Sequence, residues 1–214
     1  MGAHVKHYAG DCEHTSSYYA ASANPSPDRP ALSGAQEIDV CVVGAGYSGL
    51  STALHLVEKG YSVAIIEGAR VGWGASGRNG GQIVNGLNAS LQTIKKRYGA
   101  DTATFVAGLV QEGGQIIRER IKTYDIACDL KELNIFTGLT KAHMKELEER
   151  QAVWKTYGID NQEMLDKDQL RAHINSDLYE GGLIDHSGGH MHPLNLARRI
   201  IFGNSDVIGR RPNK

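Results

Sequence analysis

The stretch from Asp39 to Gln82, DVCVVGAGYSGLSTALHLVEKGYSVAIIEGARVGWGASGRNGGQ, constrains the fold more than any other part of the chain. Val40-Cys41-Val42-Val43 is short, apolar and β-branched, which predicts a fully buried parallel strand. Gly44-Ala45-Gly46-Tyr47-Ser48-Gly49 follows at once. Leu50, Ala53, Leu54 and Val57 then recur at helical spacing, so a helix starts on the glycine turn and turns one apolar stripe to a sheet. Gly60 stands where a left-handed residue ends a helix. A second apolar strand, Tyr61 to Ile66, ends on Glu67.

Each part of this unit has a physical reason if the ligand is a dinucleotide. Gly44 allows the tight strand-to-helix turn, Gly46 lets backbone approach a pyrophosphate, and Gly49 allows close packing of helix on strand. The helix N-terminus offers N–H groups and a favourable dipole to the phosphates. Glu67, at the end of the second strand, is placed to accept hydrogen bonds from adenosine ribose hydroxyls, and an acid there argues against a 2′-phosphate. A glycine pattern alone is common and is found in unrelated α/β turns. The uninterrupted series of strand, glycine turn, amphipathic helix, strand and acid is much more specific.

This unit does not separate NAD from FAD. The segment after it is more telling, because Gly72-Trp73-Gly74-Ala75-Ser76-Gly77-Arg78-Asn79-Gly80-Gly81-Gln82 is too glycine-rich for a helix or an ordinary strand. Its N–H groups, its Arg and its two amide side chains suit phosphate and ring-heteroatom contacts. The alternative is a flexible surface loop, against which Trp73 and Arg78 weigh.

The run DVCVVGAGYSGLSTALHL followed by IIEGARVGWGASGRNGGQ resembles the FAD-dependent D-amino-acid oxidase superfamily. HTSSYYAASAN at residues 14–24, EGGQIIRERI at 112–121 and LIDHSGGHMHPLNLA at 183–197 resemble, within it, the bacterial gamma-glutamylputrescine oxidoreductases, flavoproteins of putrescine catabolism. The resemblance implies an α/β fold: a Rossmann-like FAD-binding domain interleaved with part of an α+β substrate-binding domain. It implies FAD as cofactor, with Gly44, Gly46, Gly49 and Glu67 on the ADP moiety and Ser76, Gly77, Arg78, Asn79, Gly80, Gly81 and Gln82 along the pyrophosphate and flavin. The reaction it implies is oxidation of the primary amine of gamma-glutamylputrescine to an aldehyde, with release of ammonia and hydrogen peroxide. No catalytic residue is assigned. Two other readings stay open: another FAD-dependent amine or amino-acid oxidase of the superfamily, and a non-catalytic nucleotide-binding remnant.

The rest of the chain adds organisation. A net charge of −1 supplies neither a basic field for nucleic acid nor a polybasic patch for a membrane; a small-molecule amine is the partner that the resemblance implies, and the oligomeric state stays open. Cys12, Cys41 and Cys128 are odd in number and contain no CxxC, which suits a reduced cytoplasmic setting, with Cys41 as a small buried hydrophobe. No N-terminal apolar stretch has the length of a signal peptide or membrane span. Residues 1–37, polar and proline-bearing, are expected to form an extended arm that Tyr18 and Tyr19 dock. The βαβ unit and flavin segment span 38–100, a helical and partial substrate-domain region 101–182, and a return to the FAD domain 183–202. Within these, Asp101 is expected to cap a helix with an apolar face of Phe105, Leu109, Ile116, Ile117 and Ile121, weakened by Gly108, Gly113 and Gly114. A strand is expected around Leu133 to Phe136 and a helix over Thr140 to Tyr157, with Met144, Leu147, Trp154 and Tyr157 inward. Asp166 and Gln169 have capping-box spacing.

Asp185, His186, His190 and His192 invite a metal reading, but the spacing fits no closed-site pattern and Pro193 marks a helix start, so no metal is expected. A substrate-facing role for His190 or His192 remains unassigned. Beyond Ala197 the sequence ceases to resemble the family, and residues 203–214 form a divergent polar tail with no core to bury. The expectation is therefore an apparently truncated chain, a frameshifted product or fragment, with exposed sheet edges and marginal stability.

Overall fold

The computed structural model describes residues 12–29 and 31–200 and the backbone of 208–210. In chain order the elements are α1 (Tyr18–Ser22), β1 (Val40–Val43), α2 (Tyr47–Glu58), β2 (Val63–Glu67), a 3-10 turn (Ala75–Gly77), β3 (Gln82–Ile83), α3 (Leu91–Tyr98), α4 (Ala100–Thr123), β4 (Lys131–Gly138), α5 (Lys141–Lys155), β5 (Gln162–Asp166), α6 (Lys167–Arg171), β6 (Gly181–His190), α7 (Pro193–Arg199) and β7 (Ile208–Arg210). They divide into two compact units. The first comprises residues up to Asn79, Ile126–Cys128 and the chain from His192; the second comprises Gly80–Asp125 and Asp129–Met191.

The first unit is built on a parallel sheet of order β1-β2-β7, with Val40 opposite Val63 and Val43 opposite Ile66. Helix α2 buries Leu50, Ala53 and Leu54, and Gly60, at φ +87°, ends it as a left-handed residue, as the glycine predicts. Strand β1 differs from expectation. Its side chains alternate between half-buried and exposed, and Val43 is 84% exposed. Cys41 is exposed too, which corrects its reading as a buried hydrophobe. The physical reason is position: β1 lies at the sheet's edge, Val42 faces the α2 side, and Cys41 and Val43 point the other way. The polar tail brings a second difference, since the backbone of Ile208–Arg210 extends β2 in parallel, with Ile65 opposite Ile208. An open strand edge recruits extended backbone whatever its side-chain polarity. The other residues of the 203–214 tail, and the first eleven residues of the arm, lie outside the described residues.

The arm carries one helical turn, α1, capped by the Ser17 hydroxyl, which accepts from Ala20 N at 3.2 Å. Tyr19 packs edge-on against the His192 ring, centroids 5.1 Å apart, while Tyr18 is 76% exposed. Asn24 seals the arm with two bonds, donating from its N–H to Asn195 Oδ1 and from its side chain to the Ala127 carbonyl.

The second unit is an antiparallel sheet centred on β6, which pairs with β3, β4 and β5. A bulge at Leu133, φ +64°, interrupts the β4–β6 register. Leu165, Leu170 and Ile184 form one core on this sheet, and Leu91, Ala107 and Trp154 form another among α3, α4 and α5. The α5 prediction holds closely: Thr140 caps it and Trp154 is its buried residue. The Asp166–Gln169 capping box forms in both directions, at 2.8 and 2.9 Å. Helix α4 departs from its predicted face. Gly99, not Asp101, is its N-cap; Phe105 and Leu109 are exposed, and the buried positions are Ala103, Ala107, Gly114 and Arg120. Small residues there let neighbours approach, which a stripe drawn through the largest side chains overlooks.

Candidate functional site

The site of interest in the first unit forms where β1 passes into α2. Gly44, at φ +101°, takes a conformation that side chains rarely adopt and so makes the turn possible. Gly49 is required for a different reason: a Cβ there would drive into the Gly44 carbonyl oxygen and stand 3.4 Å from Val42 Cγ1. Gly46 is the N-cap of α2, and its own added Cβ would meet Ser76 Oγ at 3.2 Å. The three glycines of the motif thus each answer to a close approach or a special dihedral, and together they form a cradle of bare backbone.

Two side chains converge on this cradle. Glu67 extends from the end of β2 and accepts from Ala45 N at 2.7 Å and from Ala69 N at 2.9 Å. Ser76, on the 3-10 turn, accepts from Tyr47 N at 2.9 Å, supplying the side-chain oxygen that the Gly46 cap lacks. Tyr47 itself points away and donates from its hydroxyl to the Pro193 carbonyl at 3.0 Å. Burial pushes its phenol up to about 12, outweighing the opposing hydrogen bond with Asn79. The sequence gives no direct sign of the Tyr47–Pro193 link, because the two lie far apart in the chain.

The glycine-rich segment is divided. Ser76, Gly77, Arg78 and Asn79 belong to the first unit and Gly80, Gly81 and Gln82 to the second. Gly77 is buried, and a Cβ there would press on the Gly72 carbonyl and, at 2.9 Å, on Leu194 Cδ1. Arg78 folds back, donating to the Gly74 carbonyl at 3.1 Å with its guanidinium 5.2 Å from the Trp73 ring centre. Asn79 donates to the carbonyls of Ala75 and Ser76. In the second unit, Gly81 accepts from Met191 N, and Gln82 is exposed in β3 opposite His190. The structure therefore gathers Gly44, Gly46, Gly49, Glu67 and Ser76 around one turn, while Gly77 packs on α7 and Gln82 lies on another sheet.

The histidine group of the C-terminal third separates. His192 caps α7, accepting from Asn195 N at 3.1 Å through Nδ1, with Nε2 3.2 Å from Ser22 Oγ. His186 lies 3.2 Å from Glu163, and Asp185 is fully buried, accepting from the Ser187 N–H and hydroxyl. His190 is exposed on β6. Among the described residues no group of three or more His, Cys, Asp or Glu is placed to hold a metal ion, and no helix is long and apolar enough to cross a membrane.

A nucleotide cofactor fits these residues. The turn keeps bare backbone at Gly44 and Gly46 for a phosphate to approach, and an acid stands at the end of the neighbouring strand. Comparisons with known proteins point the same way. A family model described as FAD dependent oxidoreductase matches residues 39–201, running past the Ala197 at which the resemblance is expected to end. The chain is 50% identical over 196 residues to gamma-glutamylputrescine oxidoreductase of Escherichia coli (strain K12), covering 92% of this chain and 45% of that one. It is 44% identical to the probable oxidoreductase OrdL of Haemophilus influenzae, covering 94% and 48% respectively. It thus spans about half the length of these curated relatives. Among solved structures, L-amino acid deaminase from Proteus myxofaciens matches with a TM-score of 0.68 at 18% identity, over 87% of this chain and 41% of that one. Glycine oxidase from Geobacillus kaustophilus matches at 0.59 and 19%, over 76% and 43%.

Proposed function

This chain belongs to the FAD dependent oxidoreductase family, and on that premise we propose that it carries the ADP-binding part of an FAD-dependent oxidase of gamma-glutamylputrescine. The observation that carries the reading is the convergence of Glu67 and Ser76 on the bare Gly44–Gly49 turn, in a chain half identical to a relative whose name specifies that substrate. Gly44, Gly46 and Gly49 would shape the bare turn that brings the pyrophosphate to the helix N-terminus, and Glu67 would bind ribose hydroxyls. Ser76, Gly77, Arg78, Asn79, Gly80, Gly81 and Gln82 would follow the cofactor toward its flavin end. Bound FAD supplies the acceptor for the hydride leaving the carbon beside the amine nitrogen. The protein's contribution is to bind, orient and exclude water. The proposed overall reaction joins the amine, oxygen and water and yields aldehyde, ammonia and hydrogen peroxide.

A second reading rests on the site itself, where Glu67 and Ser76 converge on the nucleotide turn alone: a chain that retains the nucleotide but does not turn over amine. The test is the visible absorption spectrum of the purified chain after incubation with FAD and removal of the excess. A retained flavin band that bleaches anaerobically with gamma-glutamylputrescine supports the oxidase. A retained band that no amine bleaches supports the second reading, and loss of all flavin refutes both.

A further inference from the structure

The N-terminal arm closes a cavity of about 300 Å³ in the first unit, apart from the Gly44–Gly49 turn. Its wall carries Arg29, Arg70, Arg198 and His14 together with Glu13 and Asp28. Both carboxylates pair with the same partner, Arg70, which binds its proton more firmly for it. Arg198 has a different setting, donating to a neutral acceptor, the Asn24 carbonyl, at 3.0 Å. Burial first, and then the charges of Arg70 and Arg29, work against its own charge. His14 feels the same field: burial, Arg198 and Arg70 hold it below its ordinary 6.5, outweighing the opposing Glu13, and Arg78 adds to the lowering.

Among the described residues that line the cavity, three guanidinium groups stand beside two carboxylates, and both carboxylates lie on Arg70 rather than on Arg198. Burying a guanidinium against a neutral carbonyl costs solvation, and a guanidinium offers two parallel N–H groups that match the oxygens of a carboxylate or phosphate. We propose that this cavity is a binding site for a small oxyanion, a carboxylate- or phosphate-bearing metabolite held by Arg198, with His14 beside it. The carboxylates of Glu13 and Asp28 do not repel such a ligand strongly, because Arg70 neutralises them in part and both are well exposed, at 58% and 77%. Nothing in this inference depends on FAD binding, and none of the proposed FAD contacts lines the cavity.

The experiment is a histidine-detected NMR titration of the full chain at constant ionic strength, with the His14 signal identified by its loss in His14→Gln. Inorganic phosphate is added in one arm and citrate in the other, with sodium chloride as the control. Saturable movement of the His14 signal, with a dissociation constant on the order of 1 mM and a rise in its pKa, is expected. A response to phosphate alone identifies a phosphoryl ligand, and a response to citrate alone a carboxylate ligand. In Arg198→Gln the affinity should fall about tenfold or more, with Arg198→Lys in between. Because Arg198 also holds the arm, the Tyr19 ring signals report whether the arm stays docked in each variant, and Arg29→Gln, which leaves the Asn24 contact intact, should weaken binding as well. The proposal is overturned by no saturable shift with either anion, by an equal shift with chloride, or by unchanged affinity in both Arg198→Gln and Arg29→Gln with the arm docked.

Discussion

Replacing Gly49 by alanine tests whether the β1–α2 turn is as tight as the structure has it. Alanine in a helix is normally favoured over glycine by about 1 kcal/mol. Gly49 lies in the first turn of α2, so propensity alone predicts a gain. Against this, the new Cβ would collide with the Gly44 carbonyl oxygen and approach its carbon to 3.1 Å. Both atoms are backbone, so no rotamer change relieves the clash, and α2 must move off the turn. Overpacking of this kind costs roughly 1–3 kcal/mol, and an unyielding backbone places it at the upper end, about 3. The net is a loss of about 2 kcal/mol, or ~4–8 °C in melting temperature for a chain of this size. Gly113→Ala is the control: it also lies in a helix, α4, but an added Cβ meets nothing within 4 Å, so it should gain about 0.5–1 kcal/mol. Urea titrations followed by circular dichroism compare the midpoints at constant slope. A Gly49→Ala midpoint equal to or above wild type would refute the close approach.

Other consequences are as direct. Asp39 accepts from the Ser62 N–H and hydroxyl, and these bonds lower its pKa below 3.8, so the stabilisation they bring is complete above that value and disappears as pH falls through the lower folded value. Ser62→Ala should flatten the acid limb of stability measured from pH 6 to pH 2. Tyr47 has the opposite sign: its pKa is raised from 10 to about 12, so stability should fall as pH rises through that window, and Tyr47→Phe should abolish the fall while costing about 1 kcal/mol at neutral pH. Thr140→Ala removes the hydroxyl that accepts from His143 N at 3.2 Å and should lower stability by ~1 kcal/mol in thermal melts. Glu67→Gln sets an amide against the N–H groups of Ala45 and Ala69; it should cost ~1–2 kcal/mol without any FAD present, which a role confined to ligand binding would not.

The elements that were legible in the sequence are those whose signals are local. Strand β1, the glycine turn, α2 and β2 declare themselves by period and by punctuation, α5 by its apolar face, and the Asp166–Gln169 box by spacing. The misreadings share one cause, since burial depends on neighbours that are remote in sequence. Val43 and Cys41 have the composition of a central strand but sit at an edge, and Phe105 is large and apolar but faces solvent because Ala103 and Ala107 permit the closer contact. The Arg70 pairing with Glu13 and Asp28 was likewise invisible, because no periodicity connects an arm to a loop.

Glu67 shows why a nucleotide motif is easier to recognise than to explain. The sequence places an acid at the end of the second strand and chemistry assigns it to ribose. In the structure the same carboxylate spans the turn, one oxygen on Ala45 N and the other on Ala69 N, while Ser76 closes the helix start from the opposite side. These three bonds satisfy donors that the glycines leave without side-chain acceptors, so the turn has internal support before any ligand arrives. That arrangement would lower the ordering cost of the proposed binding, because the turn is held before any ligand arrives. On the proposed reading a ribose hydroxyl would share the Glu67 carboxylate with Ala45, since a carboxylate oxygen accepts more than one hydrogen bond, and a phosphate would rest on the neighbouring N–H groups. Stability of the empty turn and affinity for the proposed nucleotide would then depend on the same few atoms.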